Sequence, residues 1–271
     1  MRHDGYETLG VQVDGGIARA TMDHPPINLL DLELIMDLDR FGREVGDDPD
    51  VRVVILDSAD PEFFAAHADV TLIQALPVED TTRHDEPSPF QAMVDRFRTM
   101  PKATIAVIEG VARGGGSELA LSFDMRFAAL GRAVLAQPEV AVGLLPGGSG
   151  TQRLPALVGR GRALEIVLGG HDVDAATADR WGYVNRALPE GELRPYVDGL
   201  AARIASFPGE AIAKVKDAVA AAAADPVPGL CVEDQLFRAS LSDPETATRL
   251  QAFLDAGGQT REVELRGFPV D

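Results

Sequence analysis

Between Thr104 and Ala120 the chain passes from an apolar strand, Thr104-Ile105-Ala106-Val107-Ile108, through Gly114-Gly115-Gly116 into an apolar helix that carries a carboxylate, Glu118. Glycine leaves the backbone bare, so a ligand can approach the N–H groups that point out of the first helical turn, a geometry suited to an oxyanion. A second segment repeats the combination: Gln137-Pro138-Glu139 runs on to Pro146-Gly147-Gly148-Ser149-Gly150-Thr151-Gln152-Arg153. A strand, a bare turn and a helix, used more than once, restrict the chain to an α/β architecture.

The surrounding sequence fits that frame. Leu9, Val11 and Val13 alternate with polar or small residues up to a Gly15-Gly16 turn, and Ile17–Met22 completes a predicted hairpin. Asp31 is placed to cap a helix whose expected apolar stripe is Leu32, Ile35, Met36, Leu38 and Phe41, ending near Gly46. Val53-Val54-Ile55-Leu56 reads as a buried strand, residues 126–136 as short strands around Gly131-Arg132, and Thr151 as the start of a helix reaching Val158. The stretch from Glu79 to Pro89 has no apolar periodicity and reads as a loop that could lie over a pocket. Residues 1–191 form the expected core, and the Ala-rich residues 192–271 a helical region that caps it or packs subunits.

A formal charge of −18 argues against a general nucleic-acid or anionic-membrane partner. The single cysteine, Cys231, excludes an intrachain disulfide and reads as a buried helix residue. With no signal-like apolar block near Met1, the expectation is a cytoplasmic protein. His3, His24, His67, His84 and His171 show no paired ligand spacing, so no metal is expected. No Gly-Lys-Ser/Thr ending follows Gly147–Gly150, the triple glycine lacks dinucleotide-binding spacing, and neither Ser117 nor Ser149 sits in a Gly-x-Ser-x-Gly elbow. Glu118 itself has two readings, an acid working beside bare amides or an acid favoured by the positive end of its own helix.

With Phe64-Ala65-Ala66-His67-Ala68-Asp69-Val70 upstream, the two glycine-rich segments resemble the crotonase superfamily, the enoyl-CoA hydratase and isomerase group. The resemblance runs from about Ile17 to about Leu188. It implies a spiral of strand–strand–helix repeats with a C-terminal helical region, a homotrimer or dimer of trimers, and a coenzyme A thioester as ligand. By matching position it assigns the thioester oxygen to the amides of Ala68 and Gly115, proton transfer to Glu118 and Glu139, water placement to Gly147 N–H, and substrate contacts to Ala66, His67, Asp69 and Val70. No cofactor is implied, coenzyme A being part of the substrate. The leading expectation is hydration of a trans-2-enoyl-CoA; an isomerase using one glutamate, or a binding protein without turnover, are the alternatives. His67 stands where relatives have glycine, and Arg113 where they have a small or apolar residue.

Overall fold

A computed structural model describes residues 3–77, 85–220 and 227–266. Gly15 and Gly16, at φ +57° and +82°, make the two-residue turn that joins strand β1 (Leu9–Asp14) to β2 (Ile17–Met22), antiparallel with Asp14 opposite Ile17. Positive φ at both turn positions matches the twist of the flanking strands, which favours glycine there. Asp31 caps helix α1 (Leu32–Asp47), accepting from Leu34 N–H at 3.0 Å. The expected stripe on α1 needs correcting. Leu32 and Met36 are exposed, and the buried face is Leu34, Leu38, Phe41, Gly42 and Val45. That set keeps helical spacing but is turned from the expected one, because Leu34 and Val45 define the side that meets the sheet.

The spiral follows. Strands β3 (Val53–Ser58) and β4 (Phe63–Ala65) lead to helices α2 (Val70–Gln74) and α3 (Pro89–Thr99). Then β5 (Ala103–Ile108) and β6 (Val111–Arg113) lead to α4 (Gly115–Leu121). Next, β7 (Met125–Ala129) and β8 (Val134–Ala136) lead to a 3-10 turn (Glu139–Val142) and α5 (Gly150–Val158). Each turn of the spiral drops one strand into each of two sheets. β3, β5 and β7 pair in parallel in the larger sheet, whose order is β1-β2-β3-β5-β7 and then β10; β4, β6 and β8 pair in parallel in the smaller one. β3 and β5 are buried along their whole length, as expected of parallel strands covered on both faces.

Helix α6 (Arg160–Gly169), strand β9 (Val173–Asp174), α7 (Ala175–Trp181) and β10 (Arg186–Leu188) close the two sheets. Helix α8 (Leu193–Ala205) lies against the larger sheet through Leu193, Val197, Ala201 and Ala205. It is tied there by buried Asp57, which accepts from Arg19 at 2.6 Å and from Arg194 at 2.9 Å. Helices α9 (Gly209–Ala220), α10 (Val227–Leu241), α11 (Pro244–Asp255) and α12 (Arg261–Arg266) complete the described chain. α11 packs on α2 and the 3-10 turn, in a cluster of Val70, Val142, Leu144, Leu241, Leu250 and Phe253. Among the described residues, no helix is long and apolar enough to cross a membrane.

Cys231 is buried on α10, as read from the sequence. Most of the polar stretch from Glu79, and the end of the alanine run from 221 onward, lie outside the described residues. Where description resumes, Ser88 and Gln91 form a reciprocal capping box at the start of α3.

Candidate active site

The ends of three adjacent parallel strands build the site. The chain leaving β4 carries Ala66 to Val70, the chain leaving β6 carries Gly114 to Glu118, and the chain leaving β8 carries Gln137 to Glu139. Residues far apart in sequence therefore meet at one edge, as ligand-binding loops do beyond the carboxyl ends of parallel strands.

Ala68 shows how backbone pairing leaves a donor free. Leu30 bonds to its neighbours on either side, Leu30 N–H to His67 C=O at 3.0 Å and Asp69 N–H to Leu30 C=O at 3.0 Å. Since a parallel bridge uses every second residue, Ala68 N–H faces the other way, and no hydrogen bond among the described residues uses it. The Gly115 amide opens α4 and is equally uncommitted, being one of the orphan donors of a helix start. A Cβ on Gly115 would lie 3.1 Å from Ala68 Cβ and 3.3 Å from Ala68 N, so the two amides border one small space. Gly116 is required for a different reason: its Cβ would fall 2.1 Å from Ala65 C=O.

Glu118 is buried, and its Oε1 accepts from Gly148 N–H at 2.8 Å and Gly150 N–H at 2.7 Å. The amides that Glu118 accepts from therefore belong to the start of α5 and the residue before its cap, not to its own helix. Burial raises the Glu118 pKa well above the ordinary range, the charges of Glu139 and Glu233 add to the rise, and the two amides oppose it. Glu139 is partly exposed as a residue, yet its Oε2 is closed off from solvent and has no hydrogen-bond partner among the described residues. Burial of the carboxyl pushes its pKa up to about 8. Its Oε1 lies 3.0 Å from where a Cβ on Gly114 would sit, beside the start of α4.

The other expected site residues have visible work within the fold. Ala66 pairs with Ile27 and Arg113 through its backbone, Asp69 caps α2 by accepting from Thr71 N–H at 2.8 Å, and Val70 N–H donates to Gln259 Oε1. Gly147 C=O accepts from Gln91 at 3.0 Å, while the amides on Glu118 are those of Gly148 and Gly150. His67 is buried, its Nδ1 2.8 Å from Ala68 C=O and its Nε2 3.0 Å from Glu264 Oε1, with Phe253 packed edge-on. Arg113 makes a two-pronged pair with Asp172, 2.7 Å on each side, and donates to Glu264 C=O at 2.8 Å. His24, Asp31 and Glu33 approach one another at the start of α1, but there Asp31 already caps the helix and pairs with His24 at 2.7 Å.

Comparison with known proteins decides the family. The model of the enoyl-CoA hydratase/isomerase family matches residues 12–259. This chain belongs to the enoyl-CoA hydratase/isomerase family. It is 31% identical over 252 residues to the protein named "Probable enoyl-CoA hydratase echA8" of Mycobacterium bovis, spanning 92% of this chain and 96% of the relative. It is 34% identical over 202 residues to the crotonyl-CoA hydratase of Syntrophomonas wolfei, spanning 74% and 76%. A crystal structure from Streptomyces avermitilis, provisionally named an enoyl-CoA hydratase, superposes with a TM-score of 0.88 at 39% identity, covering 96% of this chain and 95% of the other. The family fold is therefore the crotonase spiral expected from the two glycine-rich segments.

Sequence reasoning missed Glu233, a third buried acid at this family site. It accepts from Ser149 N–H at 2.7 Å, Thr151 N–H at 2.9 Å and the Thr151 hydroxyl. A signal was present. On α10, Glu233 stands within the helical stripe of Leu230, Phe237 and Leu241, where an acid interrupts apolar spacing. Gln259 and Glu264, which reach back to the Ala68 loop, left no such mark.

Proposed function

We propose that this protein adds water across the double bond of a trans-2-enoyl-CoA. One observation carries the reading: the uncommitted amides of Ala68 and Gly115 border one space beside two buried carboxylates whose pKa values are raised. In this reading the thioester oxygen accepts from both amides. As charge develops on that oxygen the amides stabilise it, each donor contributing about 3 kcal/mol at the transition state.

Glu118, acting in the ionised form that the Gly148 and Gly150 amides favour, orients the water and takes a proton as the water oxygen bonds to the β-carbon. The π electrons move toward the α-carbon and the thioester oxygen, giving an enolate. Glu139, protonated up to about pH 8 and with an oxygen that no group among the described residues holds, delivers a proton to the α-carbon. Proton exchange between the two acids then restores the starting state. The reaction is redox-neutral, and the chain's own acids and amides suffice for it.

Loss of the enoyl absorbance, with product analysis for 3-hydroxyacyl-CoA, tests the proposal on the protein and on Glu118→Gln and Glu139→Gln. Each variant is expected to lower kcat by about 10²-fold or more. Variants that hydrate at the parent rate would overturn the two-acid mechanism. A shifted double bond without hydration would identify an isomerase, and tight binding without turnover a non-catalytic acyl-CoA protein.

The homotrimer, or dimer of trimers, belongs to the same proposal. It is supported by an apolar groove of about 1510 Å³ between α9 and the core, lined by Leu121, Phe123, Phe207, Ile212, Val215 and Val219. Sedimentation equilibrium is expected to return a multiple of three chains.

A further inference from the structure

Glu233 has no part in the hydration steps, yet it grips the same loop as Glu118. Glu118 Oε1 takes the amides of Gly148 and Gly150, while Glu233 takes those of Ser149, on Oε1, and Thr151, on Oε2. Four consecutive N–H groups thus alternate between two carboxylates on opposite sides of one ribbon of backbone. Gln91 Nε2 donates to Glu233 Oε1 at 3.3 Å and to Gly147 C=O at 3.0 Å, tying the acid and the loop to α3. Ser149 stands between the two carboxylates at φ +108°, a conformation that a serine holds only under constraint. Its constraints are visible: the Glu233 bond to its N–H, and Arg153 Nε donating to its Oγ at 2.6 Å.

We propose that Glu233 is a positioning residue that acts through Glu118: it holds the amides of Ser149 and Thr151 on the same ribbon whose Gly148 and Gly150 amides grip Glu118, and so sets its own charge against that carboxyl. The inference rests on the hydration reading for its catalytic consequence, but not for its geometry.

The charged and titratable groups around this ribbon come from five elements and from the segment between α7 and β10. They are Glu118 on α4, Glu139 on the 3-10 turn, Glu233 on α10, Arg153 on α5 with its partner Asp95 on α3, and Tyr183, whose hydroxyl meets Ser117 at 2.6 Å. Glu233 is itself raised to about 7, chiefly by burial, and its amide and hydroxyl donors work against that rise. Its ionised fraction therefore changes across neutral pH. An ionised Glu233 makes it harder for Glu118 to lose its proton.

Glu233→Gln removes the charge while keeping a carbonyl oxygen for one of the amides. The test follows the Glu118 carboxyl by carbon-13 NMR of glutamate-labelled protein as pH is varied, with Glu118→Gln to assign the signal. The expected result is a Glu118 midpoint lowered by about half a unit or more, with kcat reduced about tenfold and KM within about threefold. A midpoint that stays at its wild-type position overturns the proposal, whatever happens to turnover. If Glu233→Gln does not fold, Thr151→Val removes one donor from Glu233, makes it protonate more readily, and is expected to shift Glu118 downward by less; no shift there overturns it equally. A wild-type protein that fails to hydrate enoyl-CoA would sink the hydration reading alone, because the titration is read without substrate.

Discussion

Adjacent glycines in the triple run serve different ends, and substitution separates them. In Gly116→Ala the methyl would collide with a backbone oxygen 2.1 Å away, so the variant is expected not to fold. In Gly115→Ala the methyl meets Ala68 Cβ at 3.1 Å, and Ala68 N and Leu30 Cδ1 at 3.3 Å, so these neighbours must give by a few tenths of an ångström. That variant is expected to fold with a melting temperature within a few degrees of the parent, and to lose about 10²-fold in kcat/KM because its methyl enters the space between the two amides. Kinetics and a thermal melt check both. The bare helix start at Gly115 was legible in the sequence, since a Gly-Gly-Gly-Ser-Glu run leaves the first amides of a helix open to a ligand. The free Ala68 amide was legible only through family resemblance. Its freedom comes from pairing with Leu30, a contact between segments that local pattern does not record.

Helix α12 is short, yet it anchors the loop that carries Ala68. Glu264 is buried and accepts from His67 Nε2 and Gln259 N–H, while Gln259 Oε1 accepts from Val70 N–H. Burial works to raise the Glu264 pKa, but the His67 hydrogen bond and the charges of His67 and Arg113 hold it below the usual carboxylate range. A lowered acid stabilises the folded form above its unfolded pKa and loses that contribution as pH falls through the folded value. Docking of α12 should therefore weaken in acid. Glu264→Ala leaves Arg113 and His67 buried with less compensation, and removing one partner of a buried pair costs roughly 3–5 kcal/mol when the whole structure must bear it. Here α12, a helix of only six residues, can detach instead. Hydrogen exchange is expected to speed up in residues 257–266 and 66–70 together, with a smaller effect on the global melt; protection unchanged in 66–70 would show that the two segments are not linked. The strands, the α1 cap and the glycine-led helices were readable because each is encoded within a few residues. The buried side of α1, the use of His67 and the loop that the third acid on α10 grips were not, because each is set by a partner distant in the chain.

At the scale of the molecule, three buried acids with raised pKa values make stability depend on pH in an uncommon sense. From the unfolded carboxylate value up to about 8 for Glu139 and about 7 for Glu233, the folded chain binds more protons at these acids than the unfolded chain does, and Glu118 is raised in the same direction. Stability then falls as pH rises through that window, and the formal charge of −18 pushes the same way. Glu139→Gln is expected to raise the melting temperature by about 5 °C near pH 8 and to leave it nearly unchanged near pH 5. Calorimetry at the two pH values decides, and equal shifts at both would rule out a titrating origin. The spiral has a further consequence. Each winding brings its own segment to the shared strand ends, so that in the proposed mechanism Ala68 comes from one insert, Gly115 and Glu118 from the next, and Glu139 from a third insert on one chassis. Exchanging residues 137–143 for another sequence should redirect where protons travel while the grip on the thioester carries over intact, so that a lineage built on this chassis can change its chemistry one winding at a time.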